Sequence, residues 1–229
     1  MIYNKTVNKF IIIRTLSNFL ILIGFFFLLA DFGPLFIQVA WYKIREVRGI
    51  NYTLEKVGAI PETEISPFGV LMRTYPPISV EPVATQFGIV IEKIGVNAPI
   101  VANVDVGSYK DYFEALKSGV AHAASTPRPG EPGNTYLFAH SALDFWNFGK
   151  YAKVFTLLGQ VEKGDRVVLF YDGKRFDYVI ESKEVFKGFD LTPLLREFDE
   201  PTLTLQTCDP PGTALNRLVV TAKLVKEGI

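Results

Sequence analysis

Cysteine is almost absent from this chain of 229 residues: Cys208 stands alone. That excludes an intramolecular disulfide and any multi-cysteine zinc cluster. Histidine is nearly as scarce, with only His122 and His140. Any thiol–imidazole chemistry must draw on Cys208 and one of those two. Neither sign of charge is in excess, since 24 Lys and Arg face 24 Asp and Glu. Such a balance argues against a nucleic-acid binder and against an acidic tail protein. Gly-rich phosphate loops of the Walker or Rossmann type are missing. The acids Glu131, Asp144, Glu162 and Asp165 are scattered and do not form an EF-hand pattern. No metal ligand set emerges. What the chain does have is apolar residues, at 48% against 21% charged, a composition that supports a packed core.

The apolar excess is concentrated at the start. Thr15 to Ala30 (TLSNFLILIGFFFLLA) carries no charge. As a helix it is about 24 Å long, short of a ~30 Å hydrocarbon core. Extending the span back to Phe10 reaches the required length if Arg14 snorkels. Extending it forward to Trp41 must carry Asp31, Gly33 and Pro34. The first choice predicts a span near residues 10–30, with Trp41 and Tyr42 at headgroup level. The alternative is a cleaved signal peptide, with Lys5, Lys9 and Arg14 as its basic region, but Leu28-Leu29-Ala30 is a poor cleavage site. The expected topology is single-pass, with the N-terminus cytoplasmic and the bulk of the chain outside the cell membrane.

Three segments follow: a tail and anchor over 1–42, a linker over 43–86, and a domain over 87–229. Residues 43–56 could continue as a helix. Pro61, Pro67, Pro76, Pro77 and Pro82 then crowd the linker, against regular helix and central strand. Beyond it the pattern is mostly β. GIVIEKIGV (88–96), NAPIVANV (97–104), TYLFAH (135–140), PTLTLQTC (201–208) and LVVTAKLV (218–225) read as strands. VVLFY (167–171), Asp172-Gly173 and KRFDYVIES (174–182) read as a hairpin, because Asp-Gly suits a tight turn with positive φ. Short helices are expected over 109–117 after Ser108, 154–160 and 191–198. The fold class is all-β, a closed or nearly closed barrel with a few short helices.

Three chemistry-bearing residues fall at strand ends. Cys208 closes a strand in which Thr204, Gln206 and Cys208 share a face, and Asp209-Pro210-Pro211-Gly212 stops that strand. A bland reading is a small buried hydrophobe. Arg217 opens the next strand, and the short connection makes the two antiparallel neighbours. It can favour the thiolate and donate to a developing oxyanion, or it can be an ordinary surface arginine. His140 closes TYLFAH, with Tyr136 and Phe138 on its face. It suits a general acid/base for a cysteine, or a structural histidine. His122, in GVAHAAS, reads as a loop residue with a secondary or structural role. Papain-like enzymes place cysteine before histidine, the reverse of the order here.

Together these stretches carry a resemblance. TLQTC (204–208) followed by Arg217 resembles the sortase pattern TLxTC with an arginine on the next strand. IEKIGVNAPIV (91–101) resembles the sortase opening strands. PGEPGNTYLFAHS (129–141) resembles PGExGNxxxxGH, and EKGDRVVLF (162–170) with FDYVI (176–180) resembles the middle strands. The resemblance covers roughly residues 88–226. Ala139 stands where glycine is usual, Ser141 where arginine is common, and Pro210-Pro211 narrows the loop after the cysteine.

The resemblance implies a membrane-anchored cysteine transpeptidase with a sortase-like barrel. Its partners would be secreted proteins with a C-terminal LPxTG-like sorting motif, and an amine acceptor such as a peptidoglycan precursor or a pilin lysine. Cys208, His140 and Arg217 are the implied catalytic set, with Thr207 and His122 as supporting candidates. No cofactor is required. Some sortases bind calcium, but no ligand transfers onto this chain. The rival reading is a non-catalytic anchored β-domain that serves as a binding module.

Overall fold

In a computed structural model the described residues are 2–54, 78–141, 150–151 and 153–228. They form two compact units, Met1–Ala40 and Trp41–Ile229. The first unit belongs to a long helix, α1 (Ile2–Val47), which runs through Pro34. Its stretch Lys9–Ala30 is long and apolar enough to cross a membrane and is not buried inside the protein. Phe26, 67% exposed, is typical of its side chains. An apolar surface of this length asks for a non-aqueous neighbour.

The last turn of α1 belongs to the second unit. Gly49 ends the helix at φ +67°. Its N–H bonds to Glu46 O, and that of Ile50 bonds to Arg45 O. This is the Schellman pattern, in which a left-handed glycine satisfies the last carbonyls. The helix therefore stops short of residue 56. Arg45 is buried at 6% exposure, lies 4.2 Å from the Tyr52 ring centroid and donates to Lys93 O at 2.6 Å. Within the linker, β1 (Tyr52–Leu54), which precedes the prolines, and β2 (Ile78–Val80) pair in parallel. Residues 55–77 lie outside the described residues.

Eight further strands form the barrel. They are β3 (Phe87–Ile91), β4 (Val96–Val104), β5 (Val120–Ala123), β6 (Gly133–Phe138), β7 (Arg166–Tyr171), β8 (Lys174–Lys187), β9 (Pro201–Asp209) and β10 (Asn216–Gly228). Their order is β10-β8-β7-β3-β4-β5-β6-β9, closing on β10. Closure leaves no free edge. Leu137, Leu169, Leu203, Leu205 and Tyr178 are fully buried in the core. The Asp172-Gly173 hairpin has positive φ at both turn residues, as its sequence predicts.

Several expectations change in detail. The run 88–96 is broken by a 3-10 turn at Glu92–Ile94 with Gly95 in the left-handed region. The helix α2 extends over Tyr109–Ser118, with Ser108 accepting from Asp111 N–H. The helix expected over 154–160 reduces to a 3-10 turn, Leu158–Gln160. That over 191–198 shrinks to α3 (Thr192–Leu195), which carries Pro193 in its first turn. The expected loop around His122 is β5, parallel to β4. All four residues of β5 are buried, so it has no polar alternation to betray it. Gly119 permits its start, since a Cβ there would lie 2.2 Å from Pro99 O.

Candidate active site

Strand register brings the three strand-end residues together. β6 and β9 run parallel with Phe138 opposite Gln206. β6 ends at Phe138; carried two residues further, the same register would set His140 level with Cys208. Hydrogen bonds continue the seam past the last paired residues. Ala139 N–H donates to Gln206 O at 3.1 Å, and the Thr207 hydroxyl donates to Ala139 O at 2.9 Å. The Ser141 hydroxyl donates to Cys208 O at 2.8 Å. On its other side β9 runs antiparallel to β10, with Arg217 opposite Cys208. Opposed residues share a sheet face. His140, Cys208 and Arg217 therefore form a row across three adjacent strands.

The row sits in a partly buried setting. Phe155 N–H donates to His140 O at 3.2 Å. The Tyr112 ring, from α2, stacks on Phe138 with centroids 5.1 Å apart. It meets His140 edge-on at 6.3 Å. Burial pushes the Cys208 thiol above its ordinary value, while the Arg217 guanidinium pulls it back down. Burial depresses His140 to about 4. Both shifts favour a neutral thiol beside a neutral imidazole at neutral pH. Burial also raises Tyr112, helped by the negative charge that Cys208 can carry and opposed by Arg217. Tyr112, Cys208 and Arg217 thus lie within electrostatic reach of one another.

A cavity of about 240 Å³ adjoins the row. Tyr112, Phe138, Gln206 and Arg217 line it, together with Leu191 and Leu194 from the β8–β9 connection. The Tyr136 hydroxyl donates to Gln206 Oε1 at 2.5 Å, which fixes that amide. A larger cavity of about 480 Å³ lies between Tyr42, Arg45 and Arg166 and includes none of the three row residues. Its charges are largely engaged already: Lys93 pairs with Glu162 and Asp165. Cavity size is therefore the wrong guide to the chemistry here.

The two supporting candidates lie elsewhere. Thr207 alternates with Cys208 along β9, so it takes the opposite face, and its hydroxyl is engaged by Ala139 O. His122 is wholly buried. Its Nε2 lies 3.1 Å from Pro127 O and 3.0 Å from Thr126 Oγ1, and burial lowers its pKa. It joins β5 to the following turn and stays outside the row. Tyr112, Tyr136 and Gln206 are site residues that sequence reasoning passed over. A signal for two of them existed, since Tyr136 and Gln206 share faces with His140 and Cys208. Reading it required the parallel register. Among the described residues no group of three or more His, Cys, Asp or Glu could hold a metal ion.

A thiol, an imidazole and a guanidinium aligned beside a groove are the equipment of cysteine acyl transfer. The sortase domain model matches residues 89–225, the barrel itself. The chain belongs to the sortase family. It is 28% identical over 138 residues to Sortase D of Bacillus subtilis strain 168, a match covering 59% of this chain and 61% of that protein. The chain thus spans about three-fifths of the length of that curated relative. Among solved structures, the Clostridium perfringens Sortase D5 transpeptidase aligns with a TM-score of 0.50 at 27% identity, over 62% of this chain and 79% of the other. Sortase C of Clostridium perfringens, solved with the C-terminal cell wall sorting motif, aligns with a TM-score of 0.50 at 25% identity, over 61% and 69%.

Proposed function

We propose that the chain is a cysteine transpeptidase that cleaves an LPxTG-like sorting motif and passes the acyl group to an amine. The Cys208 thiolate attacks the carbonyl carbon of the motif's threonine, forming a C–S bond and a tetrahedral oxyanion. Arg217 donates N–H groups to that oxygen. The intermediate collapses with loss of the C–N bond, and protonated His140 delivers its proton to the departing amine. A thioester remains. The acceptor amine attacks it, His140 takes the amine's proton, and the thiolate leaves. A peptidoglycan precursor or a pilin lysine would supply the amine, and water in its place gives hydrolysis. The bonds and protons balance without a metal or cofactor.

The observation that supports this reading is the register, which pairs Arg217 with Cys208 across β9–β10 and sets Phe138, two residues before His140, opposite Gln206, two residues before Cys208. Burial works against the thiolate–imidazolium form that this mechanism uses, and Arg217 works for the thiolate. The helix Lys9–Ala30 serves in this reading as an uncleaved anchor, with the N-terminus cytoplasmic and the barrel outside. Tethering holds enzyme and membrane-bound substrate at one face and raises their effective concentration.

The test is turnover of a sorting-motif peptide by point variants. Cys208→Ala should abolish it, because the chain has no other thiol. His140→Ala should cost at least ~10²-fold, typical of losing a general acid/base, and His122→Ala much less. A His122→Ala enzyme more damaged than His140→Ala would overturn the assignment.

A further inference from the structure

The connection from β8 to β9, residues 188–200, supplies Gly188, Asp190, Leu191 and Leu194 to the cavity beside the row. It has little reason to stay in place by itself. Pro193 is its one buried residue, while Phe189 is 96% exposed and Leu195 71%. Apolar burial cannot hold such a segment, so its order depends on specific bonds. One is a bidentate pair from Arg196 to Glu184, 2.9 Å on each arm. Both partners are substantially exposed, and exposed pairs are weak. A second, Gly188 N–H to Leu215 O at 3.0 Å, holds only the start of the segment.

The third bond is of another kind. Asn134, on β6, is 5% exposed and donates through Nδ2 to the carbonyl of buried Pro193 at 3.0 Å. The orientation of its amide is set from the other side. The Thr204 hydroxyl, itself buried, donates to Asn134 Oδ1 at 2.6 Å. With its oxygen held by Thr204, the amide can present only its NH₂ to the turn. A buried bond whose partners have no water to fall back on is costly to lose. Asn134 makes no contribution to the His140–Cys208–Arg217 row.

We propose that Asn134 is a positioning residue for peptide binding: it latches the Pro193 turn, so that Asp190, Leu191 and Leu194 stand preformed as one wall of the cavity that Tyr112 and Arg217 also line. This rests on reading that cavity as the sorting-peptide site. A latched wall removes the ordering cost that a loose segment would charge to binding. The latch therefore acts on affinity and leaves the reactivity of the thiol alone.

The test compares wild type, Asn134→Ala and Thr204→Val in full-length protein, with an internally quenched Leu-Pro-Glu-Thr-Gly peptide as the probe. Asn134→Ala should raise KM about tenfold, the worth of one buried hydrogen bond. Its kcat and its rate of Cys208 alkylation by iodoacetamide should stay within about twofold of wild type. Thr204→Val, which frees the amide to turn, should move KM the same way by less. Amide exchange without peptide should quicken over 188–196, while β6 and β9 keep their protection. Loss of kcat and alkylation rate with KM unchanged would overturn the proposal, as would unchanged exchange over 188–196. Should Asn134→Ala lose barrel protection as a whole, Thr204→Val decides, and an unaltered KM there overturns the latch. Wild type inert toward the peptide would instead sink the proposed function, and this assignment with it.

Discussion

Replacing Arg217 by lysine separates charge from shape. The arginine lies opposite Cys208 across the β9–β10 ladder and lines the cavity. One N–H is committed to the Asn216 carbonyl at 3.1 Å, which anchors the plane of the guanidinium. The group lowers the thiol pKa by its charge, against the larger opposing effect of burial. Lysine keeps a positive charge there, so the thiolate fraction should change little. An ammonium, however, is a compact point charge on a flexible stem and cannot reproduce a planar fork of donors. Loss of one oxyanion donor commonly costs ~3 kcal/mol, or roughly a hundredfold in turnover. Arg217→Lys should accordingly react with iodoacetamide at a near-native rate while acyl transfer from a sorting peptide falls about a hundredfold. Alkylation is the right control because it needs a thiolate and no oxyanion site. A lysine variant with near-native acyl transfer would refute the reasoning, leaving Arg217 as a charge alone.

Acid should weaken the fold through its buried histidines. With His140 depressed to about 4 against an ordinary value near 6.5, the unfolded chain binds a proton between those values that the folded chain does not. Stability therefore rises with pH through that window and is lost on acidification. The Tm should fall from pH 7 to pH 4.5, and His140→Gln should lessen the fall; an identical fall in the variant would contradict this. Topology gives a further test: protease added outside intact protoplasts should digest the barrel and spare a tag placed before Lys9. A protected barrel would reverse the proposed orientation.

The barrel was legible because its strands are marked locally. Asp172-Gly173 states its own hairpin, and FGIVI or TLTLQTC can hardly be anything but strand. The antiparallel neighbourhood of Cys208 and Arg217 followed from a connection too short for a crossover, and the ladder places them opposite each other. Other features were hidden because their cause is tertiary. β5 is short and buried on both sides, so GVAHAAS shows no period. The parallel pairing of β6 with β9 joins residues about seventy positions apart, and no local signal fixes its register. That register is what carries the end of β6, just before His140, toward Cys208 and brings Tyr136 to Gln206. Tyr112 arrives from a helix whose sequence gives no hint of what it faces. The 3-10 turn at Glu92–Ile94 interrupts a run that looks continuous, with Gly95 the one local clue.

The most direct test of the central claim is intact-protein mass spectrometry after rapid acid quenching of the full-length enzyme with a sorting-motif peptide. The expected result is a covalent adduct with the mass of the peptide's acyl portion, located on Cys208 by fragmentation, released by hydroxylamine and absent from Cys208→Ala. Turnover of the peptide with no adduct on Cys208, or an adduct that survives in Cys208→Ala, would contradict it.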